Sequence, residues 1–201
     1  NALPAGEPTP AANDQTYTVD NLEPSVTSFT LKTPATSPTN ADTLTFLATF
    51  SDPVAGVDIA DFVNNSTSTA TVTGVSLVTP STYDVTISGG DLAGFNGTVN
   101  LNLSGTPFIT DLAGNALPAG EPTPAANDQT YTMDNTVPSV TSFTLKTPAT
   151  SPTNADTLTF LATFSEDVTG VATADFAKNP TSTATVTGVS LVTPSTYDVT
   201  I

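Results

Sequence analysis

Apolar side chains recur along this chain mostly at every second position. Leu44, Phe46, Ala48 and Phe50 alternate with threonines and Leu47, and Tyr83, Val85 and Ile87 alternate with Asp84 and Thr86. A period of two places alternate side chains on one face of an extended strand, and no helical period competes with it. The same pattern predicts a first strand around Val26, Phe29 and Leu31, with a local irregularity in its spacing. Ala70 and Val72, then Val75 and Leu77, flank Gly74, which marks a bulge or bend. Val99, Leu101 and Leu103 read as one further strand, alternating with Asn100 and Asn102. Tyr17 with Val19, or Tyr131 with Met133, make the last strand before a linker.

Between these runs lie turn clusters rich in Pro, Gly, Asn and Asp: residues 33–40, 88–97 and 111–128. Residues 58–62 (DIADF) fit one short helical turn with Phe62 as its buried anchor. About six or seven short strands over ~100 residues, separated by such turns, predict an all-β antiparallel sandwich.

The chain is one unit repeated. NALPAGEPTPAANDQTYT opens it at Asn1 and returns at Asn115, an offset of 114 that holds without a gap, so residues 1–87 superpose on 115–201. Eleven of those 87 positions differ, eight of them between Asp52 and Ser66 and the others at Val19/Met133, Leu22/Thr136 and Glu23/Val137. Asp-Asn followed by Pro24 or Pro138 reads as an inter-domain turn. The expected organisation is therefore a C-terminal strand region of a preceding repeat at 1–19, a complete repeat at 20–133, and the N-terminal part of the next at 134–201. Segment 1–19 matches 115–133 only, so its donation to the last repeat of a neighbouring chain leaves the counterparts of 88–114 unsupplied. A segment of a longer array is the expectation, and copies in tandem serve to span distance rather than to multiply one chemical site.

Composition then narrows the function. There is no His, Cys or Trp, and Lys32, Lys146 and Lys178 are the only basic residues against 19 Asp+Glu, a formal net charge of −16. Imidazole and thiol chemistry, disulfides and ordinary zinc sites are excluded. Three cations are too few for binding to nucleic-acid phosphates. The apolar runs are short, far from the ~20 residues of a membrane helix, so no membrane insertion is expected. Polarity comes from 42 Thr and 17 Ser, residues that favour strand and disfavour helix. No enzyme is expected: paired carboxylates for glycoside hydrolysis need a cleft, and nothing in the pattern places a pair on one.

FSEDVTGVATADF (164–176), TYDVTI (196–201), ITDLAGN (109–115) and YTMDNTVPSV (131–140) together resemble the bacterial Ig-like repeats of large secreted surface proteins. The resemblance covers the whole chain and implies tandem Ig-like antiparallel β-sandwich repeats of 114 residues. It further implies an extracellular, cell-surface location in an adhesin stalk, biofilm protein or filament, with calcium within or between domains. Neighbouring identical repeats head to tail, and laterally associated copies in a filament, are the implied partners. In the first copy SDPV stands where the second reads SEDV. The alternative is a glycan- or protein-binding module, which predicts an exposed aromatic cluster, whereas the Tyr and most Phe residues here sit at core parity.

Calcium is the cofactor that the composition permits, since it takes carboxylate and carbonyl oxygens, and extracellular modules bind it at roughly 0.1–1 mM. Residues 20–133 carry nine Asp, two Glu and one Lys, a net charge of −10 that a junction cation would relieve. The candidate ligands are Asp20 and Asn21 with their twins Asp134 and Asn135, then Asp111 and Asn115, then Asp52 or Glu166. The competing reading is that Asp and Asn in turns bond their own backbone. Lys32 and Lys146, opposite in parity to Phe29 and Leu31 and their twins, are expected outside the core, away from the buried acid that an isopeptide bond requires. Asn64, Asn65, Asn96 and Asn102 begin N-x-Ser/Thr triplets, a weak signal in a chain this rich in threonine.

Overall fold

The computed structural model describes residues 15–119, 128–178 and 181–201. Parts of two predicted features, segment 1–19 and the turn cluster 111–128, fall outside the described residues. The chain divides into two compact units, Asn1–Asn135 and Thr136–Ile201. Both are all-β with antiparallel sheets.

The first unit contains β1 (Val26–Thr33), β2 (Thr43–Phe50), β3 (Val54–Ala55), β4 (Phe62–Asn64), β5 (Thr71–Thr79), β6 (Thr82–Ser88), β7 (Gly97–Val99), β8 (Leu101–Leu103), β9 (Thr110–Asp111) and β10 (Tyr131–Met133). Four of these form a sheet in the order β1-β2-β6-β5, and the rest pair as β3 with β9, β4 with β8 and β7 with β10. The alternation in β2 and β6 emerges as predicted: Leu44, Phe46, Ala48, Val85 and Ile87 are fully buried. Their threonine neighbours point away, because successive side chains on a strand face opposite sides.

Facing that sheet are Phe62, Val99, Leu101, Ile109, Leu117, Tyr131 and Met133, all in the same buried cluster. Edge-to-face ring contacts knit the two sides together: Phe29 with Phe62 at 6.2 Å and Phe46 with Tyr131 at 5.0 Å. Each such pair contributes about 0.5–1.5 kcal/mol beyond the burial of its area.

The predicted irregularities are present. The β1–β2 register shifts between Val26 and Ser28 and again between Leu31 and Thr33, and the β5–β6 register shifts between Val72 and Gly74. Residues Ile59–Asp61 form a single 3₁₀ turn and Phe62 is 5% exposed. After β6 the chain turns through Gly90 at φ +58°, where a Cβ would lie 2.5 Å from the Thr69 backbone, so only glycine fits.

Two expectations change. Residues 99–103, read as one strand, belong to two: β7, which begins at Gly97 in the predicted turn cluster, pairs with β10 and β8 pairs with β4, and between them the Asn100 carbonyl accepts the Asn65 N–H at 3.0 Å. The inward alternation runs on through Val99 and Leu101, and only the pairing partner changes. Tyr17 and Val19 do not form a strand. They are 99% and 76% exposed, whereas Tyr131 and Met133 are buried. Tyr131 has β7 beside it and Phe46 beneath it, and residues 17–19 have neither counterpart.

The second unit contains β11 (Val140–Thr147), β12 (Thr159–Phe164), β13 (Gly188–Thr193) and β14 (Thr196–Thr200), in the order β11-β12-β14-β13. Its registers repeat those of the first unit, including the shifts between Val140 and Ser142 and between Leu145 and Thr147. The contacts of Phe143 with Phe176 (6.0 Å) and Phe164 with Tyr197 (5.9 Å) also recur. Phe160, the twin of Phe46, has no tyrosine against it among the described residues. Phe143 is 55% exposed where Phe29 is 1% exposed.

The repeat differences follow burial. Within 52–66, the buried hydrophobic residues Val54 and Phe62 and the buried Asp61 are identical to Val168, Phe176 and Asp175. Every position that differs there is exposed or only partly buried.

Candidate functional site

The structure brings three of the candidate ligands together and separates the others. In the turn after β9, Asp111 Oδ1 accepts the N–H groups of Gly114 (2.7 Å) and Asn115 (2.8 Å). Its Oδ2 accepts the Asn115 side-chain amide at 2.8 Å. That same amide donates to the main-chain carbonyl of Asp20 at 3.1 Å, tying the entry segment to the turn. The Asp20 carboxylate accepts the Leu22 N–H at 3.1 Å, a local Asx turn, and Asn21 lies exposed next to it. Hydrogen bonds from Asn115, its side chain first, hold the Asp111 carboxyl below the usual carboxylate range.

Asp134 and Asn135 have the same sequence as Asp20 and Asn21 but a different role. Asp134 N–H donates to Thr39 O at 3.0 Å, and Asn135 N–H donates to Asn96 Oδ1 at 2.7 Å. The Asn135 amide donates to the carbonyls of Phe95 (2.7 Å) and Leu92 (3.2 Å), closing the end of the first unit. Asp52 Oδ2 accepts the Ser51 hydroxyl at 2.6 Å. Its twin Glu166 keeps one carboxylate oxygen buried without a hydrogen-bond partner.

Among the described residues no group of three or more acidic side chains converges at metal-binding distance. Each candidate therefore offers one carboxylate with main-chain and amide oxygens, and at Asp111 both carboxylate oxygens already serve the turn. This arrangement does not fit a caged calcium ion, in which several carboxylates surround the metal.

Two acids outside the candidate set do more of the structural work. Asp61 is 1% exposed; its Oδ2 accepts the Asp58 N–H (2.8 Å) and its Oδ1 the Phe108 N–H (2.7 Å), fastening the 3₁₀ turn to the loop before β9. Asp91 accepts the Ser68 hydroxyl (2.6 Å) and the Thr69 N–H (2.8 Å), and these bonds, Ser68 first, lower its pKa. The local signal for Asp61 is its place three residues after Asp58, the spacing of a capping box. The Phe108 contact lies 47 residues away and leaves no local signal.

Lys32 and Lys146 lie outward and pair with Asp84 and Asp198, each at 2.6 Å. Exposed pairs of this kind contribute at most about 1 kcal/mol. Two triplet asparagines already have structural bonds: the Asn64 amide donates to Ala70 O at 3.0 Å, and Asn96 receives Asn135.

One concave feature is the apolar face of the second unit, a depression of about 460 Å³ bordered by Phe143, Phe160, Phe164, Phe176 and Val199. A smaller cavity of about 140 Å³ lies beside Leu145, Pro148, Ser151 and Thr159. No protein-family model, no curated protein and no solved structure matches this chain. No helix among the described residues is long and apolar enough to cross a membrane.

Proposed function

We propose that this chain is a structural repeat segment of an extracellular bacterial surface protein. Its units are Ig-like β-sandwiches, and it acts as an adhesin stalk or as the body of an extracellular filament. The observation that carries this reading is the repeat itself. Two copies share strand order and register, and the residues between 24 and 87 that are buried in the first copy are unchanged in the second, while the exchanges within 52–66 fall at positions that are not buried. Selection that keeps a core and frees a surface suits a spacer, whose task is length and persistence.

The chemistry of the chain supports the same conclusion. The thiol and the imidazole, the side chains most used as nucleophile and base near neutral pH, are missing from the sequence, and no enzymatic role is part of this reading. The aromatic side chains Phe29, Phe46, Phe50, Phe62, Tyr83 and Tyr131 of the first unit belong to its core, and its largely exposed rings are Tyr17 and Phe108. Calcium enters only as a weakly held stiffening ion near the Asp20–Asp111–Asn115 junction, offsetting a net charge of −10 over residues 20–133.

Concatenating the repeat tests the proposal. Small-angle scattering of chains with increasing numbers of 114-residue units should give a contour length that rises in proportion to unit number. A radius that grows as for a collapsed or coiled chain excludes a stalk. Electron microscopy of native material then distinguishes single threads from laterally bonded filaments.

A further inference from the structure

The two edges of the four-stranded sheet in the first unit differ. Along β1, Phe29 N–H donates to Asp128 Oδ1 (2.7 Å), Leu31 N–H donates to Gln129 Oε1 (2.9 Å), and Phe29 O accepts the Gln129 N–H (2.8 Å). That edge is covered by its own chain. The opposite edge is β5. Its register shifts at Val72/Gly74 and Leu77/Thr79 bracket a regular stretch, Gly74–Leu77. Among the described residues, the main chain of this stretch hydrogen-bonds with β6 alone. An open row of N–H and C=O groups is a template for a further strand.

The side chains of this edge are equally open. Val75 and Leu77 lie opposite Val85 and Tyr83, both buried, and so occupy the core-facing side of β5. Val75 packs against the core, whereas Leu77 is 64% exposed. Proteins usually guard an edge strand with charge or proline. Residues 62–83 contain no charged side chain, and β5 has no proline, in a chain of net charge −16. The acid beside Ser76 on β6 is Asp84, and Lys32 pairs with it at 2.6 Å. The 3₁₀ turn Ile59–Asp61 also touches β5. Of its acids, Asp61 is bonded within the fold, and the capping Asp58 becomes Ala172 in the second copy. Residues 67–87 recur unchanged as 181–201, so each repeat brings the same edge sequence.

We propose that β5 is a lateral contact between copies of this chain, in which two Gly74–Leu77 edges pair antiparallel about a two-fold axis at Ser76. Ser76 then faces its own counterpart, and Leu77 of each copy meets Val75 of the other on the core-facing side. The contact is isologous, covers the exposed Leu77 twice, and joins two four-stranded sheets into one. Charge selects the occupant. A strongly acidic or basic partner finds no counter-charge on this edge, whereas two neutral edges meet without repulsion. The two Asp84 carboxylates lie three strand spacings apart, about 14 Å, beyond the Debye length of ~8 Å at physiological ionic strength. The rest of each chain is acidic, so salt strengthens the pairing. The inference rests on the filament form of the proposed function and supplies the surface that bonds one thread to the next.

Sedimentation velocity of the 201-residue chain, from micromolar to near-millimolar concentration and at low and high salt, tests the pairing. Mass should grow with concentration and with salt. Leu77→Glu combined with Leu191→Glu should weaken association by roughly tenfold or more, since the symmetry counts each change twice. Both leucines are mostly exposed, so this chain should melt as the unsubstituted one does. Cysteine cross-linking gives a second measurement, because the chain has no cysteine of its own. Opposed residues of an antiparallel pair have Cα atoms about 4.5–5.5 Å apart, within the reach of a disulfide. Ser76→Cys should therefore give covalent dimers under mild oxidation, and Thr27→Cys, on the covered edge, should not. A chain that stays monomeric throughout, an association that the glutamates leave unchanged, or equal cross-linking through Thr27→Cys overturns the proposal. Each of these outcomes leaves the scaling of concatenated repeats untouched, so failure of the lateral contact is separable from failure of the spacer reading.

Discussion

The side-chain amide of Asn115 donates to Oδ2 of Asp111 at 2.8 Å and completes a turn whose other carboxylate oxygen is already shared by two backbone N–H groups. The amide's second bond, to the Asp20 carbonyl, spans 95 residues of sequence. The start of the unit is thereby tied to the turn that follows β9. A candidate ligand pair thus works as a hydrogen-bonded clasp. Any cation here must share its oxygens with the clasp.

Calcium should therefore act weakly. With dissociation at roughly 0.1–1 mM, calcium at about 10 mM stabilises by about 1.4–2.7 kcal/mol through mass action. A melt in calcium should lie several degrees above one in chelator, and the difference should vanish in Asp111→Asn. Coincident melts remove calcium from the proposed function.

Much of the architecture was legible in the sequence because it is local. The period of two in Leu44–Phe50 predicts the buried face of β2, and Gly74 predicts the register shift of β5. What escaped depends on distant partners. Val54 and Thr110 belong to two-residue strands that only their mutual pairing defines. Asn100 looks like any outward position, yet it marks the change of partner between β7 and β8. Tyr17 and Tyr131 share their flanking sequence and differ only in what lies beside them. No sequence pattern assigns one to the core and the other to solvent. At the candidate site, Asp111 and Asn115 were readable as a turn, while the contact with Asp20 was not.

Tyr131 and Tyr17 should respond oppositely to the same substitution. Tyr131 is fully buried, and its hydroxyl lies within hydrogen-bond distance of the Pro34 and Thr45 carbonyls. Tyr131→Phe should cost about 0.5–1.5 kcal/mol by removing the hydroxyl's hydrogen bonding to these part-buried carbonyls, and Tyr131→Ala about 3–5 kcal/mol. Tyr17→Phe and Tyr17→Ala should leave the stability of the dilute chain unchanged within ~0.5 kcal/mol. Denaturant melts of the four variants check this.

Identical strands should exchange amide hydrogens at different rates. Residues 138–165 repeat 24–51 without a change. The face carrying Phe29 and Phe46 is buried, however, and that carrying Phe143 and Phe160 is partly open. Protection follows the free energy of local opening. Amides of β12 should therefore exchange at least tenfold faster than those of β2, about 1.4 kcal/mol or more. Assigned NMR resonances are required, since identical peptides have identical masses. Equal protection in the dilute chain shows that the open face carries no stability penalty.

Acid should weaken the first unit through Asp91 and Asp111. Both carboxyls titrate below their ordinary value because the folded chain bonds their ionised form, Asp91 chiefly through the Ser68 hydroxyl and Asp111 chiefly through the Asn115 amide. A pKa that is lower in the folded than in the unfolded state adds stability above the unfolded value. That contribution disappears as pH falls through the folded value. The melting temperature should thus be insensitive to these two groups from neutral pH down to about pH 4, the ordinary carboxylate value, and fall below it. Asp91→Asn and Asp111→Asn should each lower it at neutral pH and flatten the acid decline, because the amide keeps the shape but cannot titrate. Melting curves from neutral to strongly acidic pH separate the two effects. An acid decline equally steep in the double variant assigns it to other groups and leaves these two carboxylates without a role in it.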